Sequence, residues 1–457
     1  MRFVLHATHS LLGLSLLGLA ACGGPSAPPG AVPPTVVLIS MDTVRADTLS
    51  VYGGPEGATP HLDRFAAGST RYVSSYSSAP WTMPSHASMF TGLFPFEHGA
   101  HSFLPGPDHR GDNVFALHPR LETLAEALAA EGYATCGVVA NTVYLRPGLG
   151  LDAGFQHWDV RRESGTKVTA RALEWLDARA EGDRPAFLFV NYMDAHRPYA
   201  TGEPDAAGHA ALDGLIERVM VSNEPAGEAG LEVRALHQRA VSRLDVEVGA
   251  LLDGLRTRGL LEDALVIITS DHGEAFGGHG VVEHSKDVYE DLVRVPLLVK
   301  APGQTAGRVA TERASSVDVP GLVARVLGSS EFPALSESFT RAPGNHPVVV
   351  ENYYSRMRDL DRFGDRFRRR RVAIYDGSKK FIVDSAAAPE LYDLVADPAE
   401  LENLAERDVA AVASMSAVLD GLLGTGAFEG ERVLPDQLTR QQVNEMGELG
   451  YGGGEGR

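Results

Sequence analysis

Six short apolar runs most constrain how this chain can fold: Val36–Ser40, Thr135–Ala140, Ala186–Asn191, Leu265–Thr269, Val295–Val299 and Val348–Val350. Each is continuous rather than alternating, the pattern of strands buried on both faces. Amphipathic stretches separate them. Leu121, Leu124, Ala125 and Leu128 form one stripe, closed by Gly132. Val233, Leu236, Val241, Leu244, Val248, Leu251, Leu252 and Leu255 form a longer one, closed by Gly259. Strands alternating with helices predict an α/β fold: a large, mostly parallel central sheet with helices on both faces. Hydrophobic residues make up 44% of the 457, enough to fill such a core.

The ends differ from this body. Residues 1–21 have the layout of a secretion signal, with Arg2 followed by an apolar stretch from Leu11 to Leu19. Leu19-Ala20-Ala21-Cys22 resembles the bacterial lipoprotein signal, which implies lipidation of Cys22 and export to a lipid-anchored place in the cell envelope. The alternative is an ordinary secretory signal with an incidental Cys22. Residues 22–34 are a Pro/Gly-rich tether with nothing to pack. The other cysteine, Cys136, lies in an apolar run and reads as a buried small hydrophobe. The main domain is expected over 35–355, with a polar, Gly/Ala-rich surface excursion or lid at 200–230. A small α+β subdomain is expected over 356–457, built on a hairpin of Arg371–Tyr375 and Lys380–Asp384 around Asp376-Gly377-Ser378 and a helix near 405–423. The run Arg368-Arg369-Arg370-Arg371 beside that predicted edge strand reads as a solvated face.

Charge excludes one class of partner. Lys and Arg total 41 against 60 Asp and Glu, a net charge of −19, which repels a phosphate backbone and argues against nucleic-acid binding.

Three segments carry reactive groups. A buried run ends in Ser40-Met41-Asp42, and another ends in Thr269-Ser270-Asp271-His272-Gly273-Glu274. Ligands of open α/β sheets sit beyond the carboxyl ends of the strands, so these two ends can bring two carboxylates and an imidazole to one point. That set suits a divalent cation with a position open for substrate. The third segment is Trp81-Thr82-Met83-Pro84-Ser85-His86, where Pro84 fits the first turn of a helix. A hydroxyl there lies where helix N–H groups favour negative charge, and a metal on the same oxygen would make it a nucleophile. Taken singly, Asp42 also reads as a turn residue and Thr82 as a helix cap.

Together these motifs resemble the sulfatases of the alkaline-phosphatase superfamily, from about Thr35 to Tyr451. The resemblance rests on Ser40-Met41-Asp42-Thr43-Val44-Arg45-Ala46-Asp47, Thr82-Met83-Pro84-Ser85-His86 with Thr91-Gly92, and Ser270-Asp271-His272-Gly273-Glu274. It extends to Tyr289-Glu290-Asp291 with Arg294-Val295-Pro296, and to Glu390-Leu391-Tyr392-Asp393-Leu394 with Asp397-Pro398. It implies a nucleophile at Thr82 and metal ligands at Asp42, Asp271, His272 and the Thr82 oxygen. It further implies catalytic roles for His196 and His284, with His86, Lys286 and Asn141 on the substrate. His196 also reads as a loop histidine and Lys286 as a solvated one.

Departures from the family signature shift the expected chemistry. Sulfatases that cleave sulfate use formylglycine made from Cys or Ser. Thr82 carries a methyl on Cβ, so no formylglycine is expected. His86 replaces the signature Arg, Thr43 the usual second Asp, and His272 the usual Asn. One carboxylate fewer and one imidazole more favours Mn²⁺ or Zn²⁺ over Ca²⁺ or Mg²⁺ as the single divalent ion. A threonine nucleophile favours phosphate mono- or diesters over sulfate esters. The reading is thus a metal-dependent hydrolase of sulfate or phosphate esters on a small-molecule, glycan or lipid substrate. The alternatives are an envelope phospho-headgroup transferase and a non-catalytic lipoprotein that binds an anionic glycan.

Overall fold

Side chains alternate across a strand, and both faces of the first one are covered. In β1 (Val36–Met41), Val36 and Leu38 belong to one apolar cluster while Val37, Ile39 and Met41 belong to the other. That is why the run is continuously apolar. The computed structural model describes residues 33–104, 113–179, 184–199, 206–222, 227–328, 332–354, 359–360, 364–426, 428 and 432–435. The expected signal peptide, with Cys22, and the tether up to residue 32 lie outside the described residues, as does the chain beyond 435.

The central sheet has eight strands. After β1 come β2 (Thr70–Tyr72), β3 (Ala134–Val139), β4 (His157–Val160), β5 (Ala186–Tyr192), β6 (Leu265–Thr269), β7 (Leu297–Lys300) and β8 (Arg308–Ala310). Their order across the sheet is β8-β2-β7-β6-β1-β5-β3-β4. β4, β3, β5, β1 and β6 run parallel, with Val36 level with both Phe187 and Leu265. β7 is antiparallel to β6 and to β2, so the run Val295–Val299 forms a strand of opposite sense.

Helices cover both faces. α1 (Pro60–Ala66), α4 (Gly165–Asp177) and the long α6 (Glu228–Thr257) lie on one side. α2 (Thr82–Thr91), α3 (Leu124–Ala130) and α7 (Val319–Leu327) lie on the other. α3 opens with a capping box between Thr123 and Glu126, and the turn after it places Gly132 at φ 88°, which favours glycine. The Asp245 carboxylate of α6 accepts from the His61 and Leu62 amides at 3.0 and 2.8 Å, capping α1 from across the interface. The stretch read as a surface excursion holds a further helix, α5 (Ala206–Ser222). Its Leu212, Leu215, Ile216 and Val219 are buried against Tyr199, Phe276 and Val282.

A second, antiparallel sheet has four strands: β9 (Val349–Asn352), β10 (Arg371–Asp376), β11 (Lys379–Asp384) and β12 (Glu390–Asp393). The apolar run at Val348–Val350 therefore belongs to this sheet and starts ahead of residue 356. Met415 and Leu419 of α8 (Val409–Gly426) share a core with Val372, Ile374 and Phe381 of the same sheet. Among the described residues no helix is long and apolar enough to cross a membrane.

The arginine run corrects the expectation of a solvated face. β10 lies inside the sheet, between β9 and β11, and not at its edge. Arg371 is fully buried and pairs with Asp287, Asp384 and Glu390. Arg369 pairs with Asp287 and Asp384 at 2.8 and 2.9 Å, and Arg370 with Glu351 at 2.8 Å. These ties join the second sheet to the segment that follows the metal-ligand strand end. Removing one member of a buried ion pair strands the others, so Arg371→Met is expected to destabilise the protein by about 3 to 5 kcal/mol. Urea unfolding measures this; a loss under about 1 kcal/mol would mean the carboxylates repair without it.

Candidate active site

The site forms where β1 and β6 end side by side, Ser40 being level with Thr269. Just past these ends Asp42, Asp271 and His272 place one ligand atom each within 4.8 Å of one another, and all three are fully buried. The backbone sets their directions. Thr43 adopts φ 63°, a left-handed conformation rare outside glycine, and its amide reaches Asp271 Oδ1 at 3.3 Å. The His272 amide donates to the same oxygen at 2.9 Å. The Ser270 hydroxyl lies 2.6 Å from Met41 O and 2.7 Å from His272 O, stitching the two strand ends together. His272 Nδ1 donates to Gly273 O at 2.9 Å, which leaves Nε2 as the lone-pair nitrogen, 3.4 Å from Asp271 Oδ2 and 3.8 Å from Asp42 Oδ1.

Those two oxygens, Asp42 Oδ1 and Asp271 Oδ2, are buried and have no hydrogen-bond partner. Burial and the repulsion of Asp271 push the Asp42 carboxyl up to about 8, against the pull of His272 and Asn141. Burial likewise pushes Asp271 up to about 7. Orphaned oxygens beside a lone-pair imidazole suit a divalent cation, which supplies the partner that the protein withholds. The expected ligand set fits such an ion.

Thr82 begins α2, just after its cap residue Trp81, and is fully buried. Its Oγ1 lies 3.5 Å from His272 Nε2 and 3.4 Å from Asn141 Nδ2. Asn141 also donates to Asp42 Oδ2 at 3.0 Å, while its own oxygen accepts from the Val143 and Tyr144 amides. The Ser85 hydroxyl donates to Asp271 O at 2.6 Å, docking the first turn of α2 against the ligand strand. Asp42, Thr82, Asn141, Asp271 and His272 are thus brought together.

The expected histidines extend from this point. The His284 ring lies 4.6 Å from the His272 ring and 5.1 Å from that of His196. Its Nδ1 is 3.1 Å from Glu274 Oε1, and left-handed residues Glu283 and Ser285 flank it. His196 Nδ1 donates to Arg197 O at 2.7 Å.

Two of the expected substrate-binding residues, His86 and Lys286, have protein partners of their own. His86 turns into the core against Phe90 and Phe189. Its Nδ1 donates to Thr82 O at 2.9 Å and its Nε2 accepts from the Ser40 hydroxyl at 3.0 Å. Burial holds it neutral, lowered to about 3, and it braces the first turn of α2. Lys286 is buried, and its Nζ is bound by Glu283 at 3.2 Å, Asp359 at 3.4 Å and His284 O at 3.3 Å. It is not a solvated lysine: it is buried and paired with two carboxylates.

Several partners were missed by sequence reasoning. Glu274 is fully buried, and burial with the nearby Glu283 drives its carboxyl well above the usual range. Its only sequence signal was its place in Asp271-His272-Gly273-Glu274. Arg45 links the three quoted motifs: it donates to Glu274 O at 3.0 Å and pairs with Asp47 at 2.7 Å and Asp291 at 2.6 Å. Arg197 pairs with Glu283 and with Asp213 of α5, a contact that spacing could not suggest.

Buried neutral histidines surround the site and set an acid limit. His98, His101 and His237 are each lowered to about 3 by burial, from an ordinary 6.5. The unfolded chain takes up protons that the folded one refuses. Stability from these groups is therefore complete above pH 6.5 and is lost as pH falls toward 3, at about 1.4 kcal/mol per pH unit for each. Buried carboxyls raised on folding, Asp42 and Asp271 among them, act in the opposite sense over the same range. The histidine part is therefore read by difference: His98→Gln is expected to shift the slope of urea unfolding between pH 6.5 and 4.5 by about one proton relative to wild type. An unchanged slope would remove His98 from the account.

Comparison with known proteins agrees with this geometry. The sulfatase family model matches residues 34–329. An uncharacterized sulfatase of Escherichia coli K12, YidJ, is 26% identical over 450 residues, covering 85% of this chain and 86% of its own. A choline-sulfatase of Rhizobium meliloti is 25% identical over 435 residues, covering 82% of each. The crystal structure of a phosphonate monoester hydrolase of Agrobacterium radiobacter superposes with a TM-score of 0.64 at 19% identity, over 86% of this chain and 96% of that one. At that identity the last comparison speaks for the fold alone. With the matched stretch spanning well over half of the residues and containing both ligand strands and the Thr82 helix, this chain belongs to the sulfatase family.

Proposed function

We propose that this protein is a metal-dependent hydrolase of anionic esters in which Thr82 is the nucleophile, with phosphorus esters preferred over sulfate esters. The observation that carries the reading is the place of Thr82: a fully buried threonine at the start of α2, its hydroxyl beside the metal-ligand triad. A divalent ion held by Asp42, Asp271, His272 and the Thr82 oxygen would lower the pKa of that hydroxyl and offset charge developing on the ester oxygens.

The residues of the chain do the rest. The start of α2 favours an anion near Oγ1. Asn141 holds both Asp42 and Thr82, so ligand and nucleophile keep one geometry. In-line attack by Oγ1 forms a Thr–O–P bond and expels the alcohol. His284, oriented through Nδ1 by Glu274, protonates the departing oxygen, with His196 beside it. Water attack then frees inorganic phosphate and restores the hydroxyl. A sulfo-threonine lacks the elimination route that an aldehyde hydrate offers, which is the reason phosphorus is preferred. A relative named for a sulfate ester supports the anionic-ester class. The same proposal puts the enzyme in the cell envelope, held by lipid on Cys22; the support is the Leu19-Ala20-Ala21-Cys22 pattern.

Initial rates on aryl sulfate, aryl phosphate, aryl phosphonate and bis-aryl phosphate, each with Mn²⁺, Zn²⁺ or Ca²⁺, test the reading. The expected result is turnover of a phosphorus ester at least about tenfold above the sulfate with Mn²⁺ or Zn²⁺. Sulfate as the best substrate would overturn the preference, and no turnover with any metal would overturn hydrolysis.

A further inference from the structure

A cavity of about 450 Å³ lies between the second sheet and the main domain. Its polar lining comes from Ser74, Tyr76, Glu290, Arg294, Arg313 and Ser378, none of them used in the catalytic reading. We propose that this cavity is a second anion site, taking a phosphate, sulfate or carboxylate group between Arg294 and Arg313.

The argument starts from what the two arginines are bonded to. Arg45, Arg197 and Arg371 are consumed by carboxylates. Arg294 and Arg313 differ from these three: Arg294 Nη2 donates to Val73 O at 3.3 Å and Arg313 Nη2 to Gly377 O at 2.7 Å. Backbone carbonyls accept a hydrogen bond and leave the positive charge unneutralised. Among the described residues neither guanidinium forms an ion pair, although the chain carries a net charge of −19. Arg313 Nε is closed off from solvent and has no hydrogen-bond partner.

Rigidity supports the same reading. The Arg313 guanidinium lies 5.2 Å from the Tyr375 ring and 5.9 Å from the Tyr76 ring, which are themselves 4.3 Å apart. Stacking on aromatic faces fixes the plane of a guanidinium, and a fixed fork is what oxyanion recognition needs. The one carboxylate in the lining, Glu290, is already occupied: its Oε1 accepts from Tyr375 OH at 2.9 Å and from Lys380 Nζ at 3.2 Å. What the cavity offers a ligand is therefore chiefly its two guanidiniums, with the Ser74 hydroxyl beside them.

The anion has two sources with one chemistry. It is a free inorganic anion, or a second anionic substituent on the ester that the catalytic site holds. Only the second source rests on the proposed hydrolase reading. Tyr76 and Thr82 lie on one short connection, residues 77–81, so the cavity wall runs directly into the nucleophile helix.

Titration calorimetry on the full chain in detergent tests the site, first with inorganic phosphate on chelator-treated protein, where the catalytic ligand set lacks its ion. The expected result is one phosphate per chain, weakened at least about tenfold in Arg294→Gln/Arg313→Gln. Ser378→Glu guards against misfolding of that variant; by placing a carboxylate at the hairpin tip it is expected to weaken phosphate similarly. Comparable binding by wild type and both variants, or no phosphate bound to any of them, would overturn the proposal. With metal restored, a singly and a doubly sulfated disaccharide separate the sources. Loss of affinity in the arginine variant for the doubly sulfated sugar alone assigns the site to the substrate, and loss for phosphate alone assigns it to a free anion. The chelated titration does not depend on turnover, so failure of the hydrolase reading and failure of this site give different results.

Discussion

Thr82→Ala is expected to lower turnover of the best phosphorus ester by on the order of 10⁴-fold or more, with the fold intact. The side chain sits between His272 and Asn141 in a fully buried position, and alanine leaves no oxygen there to attack. Thr82→Ser keeps the oxygen and loses only a methyl, so it is expected to stay within about tenfold of wild type. Acid quenching during turnover, followed by peptide mass spectrometry, is expected to find phosphate on Thr82 in the wild type and none in Thr82→Ala. Activity that survives alanine would overturn the assignment of the nucleophile. The candidate ligands Asp42, Asp271 and His272 remain in the variant, so metal uptake is expected to persist and serves as the control for folding.

Asp42→Asn is expected to act in opposite directions on two readouts. Activity and metal-dependent stabilisation are both expected to disappear. An ion at a thousandfold its dissociation constant adds about 4 kcal/mol to a folded protein, and that increment would be absent from the thermal unfolding curve. In chelator, by contrast, the variant is expected to melt at or above the temperature of wild type. Asp42 is buried next to Asp271 with one oxygen unpartnered, so a neutral side chain of the same shape removes a burial cost and a repulsion that His272 and Asn141 only partly offset without the ion. A variant that still gains stability from Mn²⁺ or Zn²⁺ would show that Asp42 is not a ligand.

Much of this was legible before folding. A continuous apolar run such as Val36–Ser40 announces a strand covered on both faces, and its place ahead of Asp42 announces where a ligand would sit. The ligand triad could be read because each member directly follows a strand, so short-range order alone sets its position. Histidine at 86 was harder. On sequence it occupies a functional position of a signature, yet one helical turn from Thr82 it bonds the Thr82 carbonyl and faces Phe90 and Phe189. Which way a helical side chain turns depends on what packs against the helix. The arginine run failed for a related reason. Of four adjacent basic residues only Arg368 stays exposed, paired with its neighbour Asp365, while Arg369, Arg370 and Arg371 meet Asp287, Asp384, Glu351 and Glu390 from other segments.

Readable from the chain alone were the layered α/β class, the candidate ligands just past the ends of β1 and β6, and the methyl on Cβ that bars an aldehyde at position 82. Those properties are local: periodicity, the residue after a strand, and the covalent structure of one side chain. Packing between segments was needed to show that Lys286 is paired with Glu283 and Asp359, that Glu274 bonds His284, and that Arg294 and Arg313 face one cavity whose single carboxylate, Glu290, is bonded to Tyr375 and Lys380. The physical reason is that a charge acquires its role from its nearest countercharge, and in a folded chain that neighbour is set by packing between segments remote in sequence.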